Sequence, residues 1–105
     1  MLYHYTPEYN TDSIKEEGLL VGKTKDGLLY LADSLEMARQ FACIYLPSGS
    51  KFTIFELDEN RMEQYGVKIM ESMDHDPNYF KGRAFYCEHD IPRECITQCH
   101  YYKIK

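Results

Sequence analysis

The sequence predicts a single α+β domain, residues 1–105, with a split β-sheet of short, mostly antiparallel strands and two short helices in its N-terminal half. Three observations predict it. Leu28–Ala32 is apolar or aromatic throughout and runs directly into a stretch with helical periodicity. A second short helical stretch, rich in capping residues, precedes it. The rest of the chain divides into strand-like runs punctuated by Gly and Pro, for about five strands in all, which is the α+β pattern. A length of 105 residues leaves room for one domain of roughly 100–150 residues.

Leu2–Thr6 reads as the first strand, stopped by Pro7, which has no N–H for a ladder. On it, His4 points to one face and Tyr3 and Tyr5 to the other. Asn10–Glu17 reads as a helix, because Thr11, Asp12 and Ser13 are capping types and Gly18 suits its end. A polar turn, Gly22–Gly27, feeds Leu28–Ala32, whose unbroken apolar character predicts a strand buried on both faces. Tyr30 sits in its middle, and a buried hydroxyl requires a partner, either a core group or a ligand.

Asp33 and Glu36 have capping-box spacing, so the next helix begins at Asp33 or Ser34. Met37, Ala38, Phe41, Ala42 and Tyr45 form its buried stripe, with Arg39 and Gln40 outward. After the break at Leu46–Ser50, Lys51–Leu57 is a strand with both faces largely apolar. Asp58–Gly66 reads as a turn of helix and Val67–Met70 as a weak strand. Met73–Gly82 is the longest irregular stretch, rich in aromatic and ionisable groups, and loops of that length are often functional. Arg83–Glu88 and Cys95–Lys105 complete the strands, with a corner at Ile91-Pro92.

At 44% hydrophobic and 28% charged the chain has the composition of a folded globule rather than a disordered one. Ten Tyr, five Phe and no Trp imply amphipathic rings lining a surface or pocket. The net charge of −5, without a Lys/Arg stripe, argues against a broad phosphate-neutralising footprint. No apolar run approaches the roughly 18 residues of a membrane span and no signal-peptide plan opens the chain, so a cytoplasmic protein without a membrane partner is expected. Cys43, Cys87, Cys95 and Cys99 suit reduced thiols. Cys87, Cys95 and Cys99 with His89 or His100 supply enough donors for zinc, but there is no CxxC pair, and no metal is expected. Cys43 or Cys87 as a nucleophile beside His4 or His89 rests on residue type alone.

The order of these pieces resembles the ADP-ribosyltransferase superfamily over nearly the whole chain. Tyr30-Leu31-Ala32-Asp33 through Phe41 looks like the Tyr-Phe-Ala-Asp strand and helix of poly(ADP-ribose) polymerases, and His4-Tyr5-Thr6 resembles their His-Gly-Ser/Thr. Ser13-Ile14, Gly18-Leu19 and Ile91-Pro92-Arg93-Glu94-Cys95-Ile96 are more similar to RNA 2′-phosphotransferases and to DNA-modifying ADP-ribosyltransferase toxins. The resemblance implies a split sheet that grips NAD as co-substrate. It implies that His4 bonds a ribose hydroxyl, Thr6 contacts the nicotinamide amide region, and Tyr30 and Phe41 pack on opposite faces of the nicotinamide. Tyr5 stands where Gly is usual and crowds the cofactor side.

The implied chemistry is departure of nicotinamide through an oxocarbenium-like transition state, stabilised by a carboxylate. Counting back from Ile91-Pro92, the toxin pattern places that Glu at Ala84. Glu88, two strand steps further on the same face, is the nearest candidate, and the catalytic set becomes His4, Tyr30 and Glu88. The resemblance therefore implies a small transferase modifying a protein or nucleic acid, of the kind a bacterial or phage toxin or anti-defence effector uses. The Ala84 departure points to an alternative, an inactive module that holds a nucleotide or blocks a partner. RNA 2′-phosphotransfer, with Lys81 and Arg83 as basic groups, is a second alternative.

Overall fold

The computed structural model describes residues 1–73, 75–76 and 78–105. Six strands form one sheet: β1 (Leu2–Pro7), β2 (Leu29–Ala32), β3 (Lys51–Leu57), β4 (Met70–Ser72), β5 (Ala84–Cys87) and β6 (Ile96–Lys103). The order across the sheet is β4-β5-β2-β1-β3-β6, and every neighbouring pair is antiparallel. Three helices pack on it, α1 (Thr11–Glu17), α2 (Leu35–Tyr45) and α3 (Glu59–Gln64).

Local chemistry sets the helix ends. Ser34, rather than Asp33, caps α2 by accepting from the Met37 N–H at 3.1 Å. Asp58 caps α3 through the N–H groups of Asn60 and Arg61. At the other end of α3, Gly66 (φ +75°) bonds back to Glu63, and Val67 bonds back to Met62, a Schellman closure. That closure claims Val67 for the helix end, which is why the strand expected at Val67–Met70 instead occupies Met70–Ser72.

Side-chain alternation divides the core into two layers. One face carries Leu2, Leu29, Leu31, Phe55 and Leu57 and is covered by Leu19, Met62, Val67, Ile91 and Cys95, with Ile14 of α1 against it. The other carries Ala32, Phe52, Ile54 and Ala84 and is covered by Met37, Ala38 and Ala42 of α2, with Phe80 and Ile104. Leu19 and Ile91 exchange backbone hydrogen bonds of 2.9 and 2.8 Å, which ties the end of α1 to the corner before β6. Gly18 makes this possible: its φ is +83°, and a Cβ there would stand 2.5 Å from the Ile91 oxygen.

Two burial expectations change. Leu29, Leu31 and Ala32 are buried as expected for β2, but Tyr30 is 48% exposed. Tyr45, assigned to the buried stripe of α2, is 69% exposed. In both cases the reason is that α2 lies mainly over β1, so the sheet surface toward β5 is left open as a cleft.

Candidate functional site

The open part of the α2-covered face holds a cavity of about 410 Å³. Its floor is sheet: Tyr3 and Tyr5 from β1, Tyr30 and Ala32 from β2, Ala84 from β5 and Ser72 from β4. One wall is α2, through Ala38, Phe41 and Tyr45, and His75 closes the other side. Alternation explains the membership. Tyr3 pairs with Ala32, so Tyr3, Tyr5, Tyr30 and Ala32 share a face, and Ala84 joins them as the cross-strand partner of Ala32. Phe41 and Tyr45 stand four residues apart on α2 and therefore on one side of it.

The walls are held by aromatic packing. The Phe41 ring stacks on Phe80 with centroids 4.4 Å apart, and His75 and Tyr79 meet Phe80 edge-on at 6.2 and 4.8 Å. Among the described residues, His75 Nδ1 is buried without a hydrogen-bond partner. The loop carrying these residues falls within Met73–Gly82, the stretch singled out in the sequence; Asp74 and Pro77 lie outside the described residues. Its C-terminal base is pinned by Arg83, whose guanidinium donates to both oxygens of Glu71 at 2.7 and 3.1 Å and whose carbonyl accepts from Asp33 N–H. Gly82 packs against the Asp33 carboxylate at φ +136°, leaving no room for a Cβ.

The electrostatics follow burial and local partners. Burial pushes the Tyr5 phenol up to about 12, with Tyr45 adding to the shift, so Tyr5 is a neutral donor at physiological pH. Tyr30 hydroxyl donates to Asp26 Oδ2 at 2.6 Å, and this bond, followed by one from Leu28 N–H, holds Asp26 below the ordinary carboxylate range. The hydroxyl foreseen as needing a partner thus has one, at the rim rather than in the core.

The residues singled out in the sequence divide between the two faces. Tyr5, Tyr30 and Phe41 line the cavity together. His4 lies on the opposite face by alternation and donates from Nδ1 to the Tyr30 carbonyl at 2.8 Å. β1 meets β2 through one register pair but β3 through six, and His4 supplies a side-chain bond where the β1–β2 ladder is short. Burial lowers the His4 pKa, against a smaller upward pull from the Tyr30 carbonyl. Thr6 is buried on the His4 side and accepts from Asn10 Nδ2 at 3.1 Å, a bond that helps shape the turn into α1. Glu88 follows the last residue of β5, is exposed, and is not among the cavity-lining residues. Ala84 does line the cavity.

Tyr3, Tyr45 and Ser72 are cavity residues to which the sequence reading gave no ligand role, Tyr45 being assigned to the buried stripe of α2; His75 was reached only as part of the Met73–Gly82 loop. Two of them had a usable signal: Tyr3 shares a strand face with Tyr5, and Tyr45 shares a helix face with Phe41. Cys87 and Cys95 are buried and Cys43 is exposed. Among the described residues no three His, Cys, Asp or Glu side chains gather to hold a metal ion, and no helix is long and apolar enough to cross a membrane. No protein-family model and no curated protein sequence matches the chain.

Proposed function

We propose that this chain is an ADP-ribosyltransferase-type module whose aromatic cavity takes the nicotinamide end of NAD. The observation that carries this reading is that Tyr5, Tyr30 and Phe41, from three separate elements, line one cavity. At about 410 Å³ it falls within the ordinary range for small-molecule sites. Aromatic faces suit a flat, partly charged ring, and the Tyr5 phenol, kept neutral, suits an amide or ribose hydroxyl as donor. Among the described residues the lining includes no carboxylate, and Ala84 stands where the toxin pattern has its Glu, which favours holding the nucleotide over turning it over.

The test is thermal unfolding with NAD or with ADP-ribose, which lacks nicotinamide. NAD at about 100 times its Kd should stabilise the fold by about 2.7 kcal/mol, and ADP-ribose should stabilise it less at equal concentration. Equal effects, or none, would remove nicotinamide recognition.

A second reading, transfer of ADP-ribose to a protein or nucleic acid, is favoured by the sequence position of Glu88, two steps beyond Tyr86 and four beyond Ala84, whose face borders the cavity. In it the bond from ribose C1′ to nicotinamide breaks, nicotinamide leaves with the bonding pair, and an acceptor nucleophile bonds C1′ and releases its proton. Nicotinamide release by the unaltered chain that disappears in Glu88→Gln, with the fold intact, would establish this reading in place of the first.

A further inference from the structure

The outer edge of β6 carries an unused recognition element. β6 runs eight residues and is bonded on one side only, to β3. Ile104, just beyond it, donates to the Ser50 carbonyl at 2.8 Å and accepts from Gly49 N–H at 2.9 Å, so its backbone faces inward. Alternation along an antiparallel strand then turns the backbone groups of Gln98, His100 and Tyr102 inward and those of Cys99, Tyr101 and Lys103 outward, while Thr97 is the extra residue of a bulge opposite Glu56 and Leu57. Among the described residues, none of these three bonds a backbone group on the outer side.

Proteins usually guard such an edge with proline, a central charge, a bulge or a short strand. β6 has no Pro and no Asp or Glu, and its one Lys is at the end. The register shift opposite Glu56 and Leu57 affects only its first residues. Tyr101 is 54% exposed, with Lys15 Nζ 3.0 Å from its hydroxyl and 5.7 Å from its ring centroid, which fixes an aromatic surface beside the edge.

We propose that β6 is a dimerisation edge on which two copies of this chain pair antiparallel about a two-fold axis at His100. In that register Cys99 meets Tyr101 of the partner subunit, twice by symmetry, and both residues exchange backbone hydrogen bonds across the axis. A second copy fits because the run Thr97–Tyr102 has no carboxylate or Lys/Arg to oppose itself, and the two Lys103 side chains fall at opposite ends of the pair. The assembly closes at two, since the other sheet edge, β4, is only three residues long. β3 separates β6 from the cavity floor, so dimerisation leaves the cavity open.

The experiment is sedimentation equilibrium under reducing conditions from about 10 to 500 μM, the range suited to an interface below standard size. The mass should rise from 12.4 kDa toward twice that value. Amide exchange at Cys99 and Tyr101 should slow with rising concentration, while that at His100 and Tyr102 stays slow throughout. Tyr101→Pro removes an outward N–H that the monomer does not use and should weaken association at least tenfold. A constant mass of 12.4 kDa would overturn the proposal. So would a dimer whose Cys99 and Tyr101 amides exchange no more slowly than in the monomer; the exchange measurement decides even where Tyr101→Pro does not fold.

Discussion

The hydroxyl of Tyr30 and the carboxylate of Asp26 are joined by a 2.6 Å hydrogen bond that holds the exposed ring at the rim of the cavity. Asp26 lies in the polar turn before β2, so the turn as well as the strand orients the ring. Because the folded-state pKa of Asp26 lies below its ordinary value of 3.8, the bond is fully present above that value and is lost as pH falls through the folded pKa. An NMR titration should place Asp26 below 3.8 in the native chain and move it back upward in Tyr30→Phe. An unchanged titration would show that the bond does not form in solution.

His4 gives a second pH dependence. Its Nδ1 carries the proton that the Tyr30 carbonyl accepts, and burial favours the neutral ring. A His whose folded pKa is lowered contributes stability above its unfolded value of 6.5 and loses it as pH falls through the folded pKa. The Tm should drop between pH 7.5 and pH 5 more steeply in the native chain than in His4→Gln, which keeps a donor but does not titrate.

Gly18 and Gly49 differ in strain and in close approach. Both have positive φ, +83° and +84°, but Gly18, at ψ −171°, lies in a region that is essentially glycine's alone, and only Gly18 has backbone in the way of a Cβ. Gly49→Ala should cost about 1–2 kcal/mol, the left-handed penalty alone. Gly18→Ala should cost about 3 kcal/mol or more, because the Leu19–Ile91 bridge must open as well. Urea unfolding of the two variants measures the difference.

The thiols should react in order of exposure. Burial raises Cys87 to about 11 and raises Cys95 as well, whereas Cys43 is exposed. Iodoacetamide at pH 7.5 should label Cys43 first and reach Cys87 only on unfolding, as mass spectrometry would report. For a thiol raised by folding, stability is complete below the unfolded value of 9.0 and declines as pH climbs toward about 11. Alkaline unfolding should therefore be shifted upward in pH by Cys87→Ala.

Much of this fold was legible from local pattern. Lys51–Leu57 alternates with both faces apolar and is β3 with the same bounds, and Ser34 was one of two caps foreseen for α2. The strand near Val67 was misplaced because its signal was weak and the Gly66 closure of α3 depends on the packing of Met62 and Val67 into the core. Within the site, Tyr5, Tyr30 and Phe41 could be singled out from sequence. His75 was reached only as part of the Met73–Gly82 loop and Ser72 not at all, since each joins the cavity only through loop packing or strand pairing.

The sequence by itself determined the α+β class, the Ser34 cap of α2 and the alternation that puts His4 and Tyr5 on opposite faces of β1, because periodicity and capping act over a few residues; α1, by contrast, begins without a side-chain cap. Only the tertiary structure decided where α2 lies across the sheet. That position leaves Tyr30 exposed, brings Ala84 into the cavity and leaves Glu88 outside the lining, because long-range strand order and helix placement, not local preference, decide which residues share a surface.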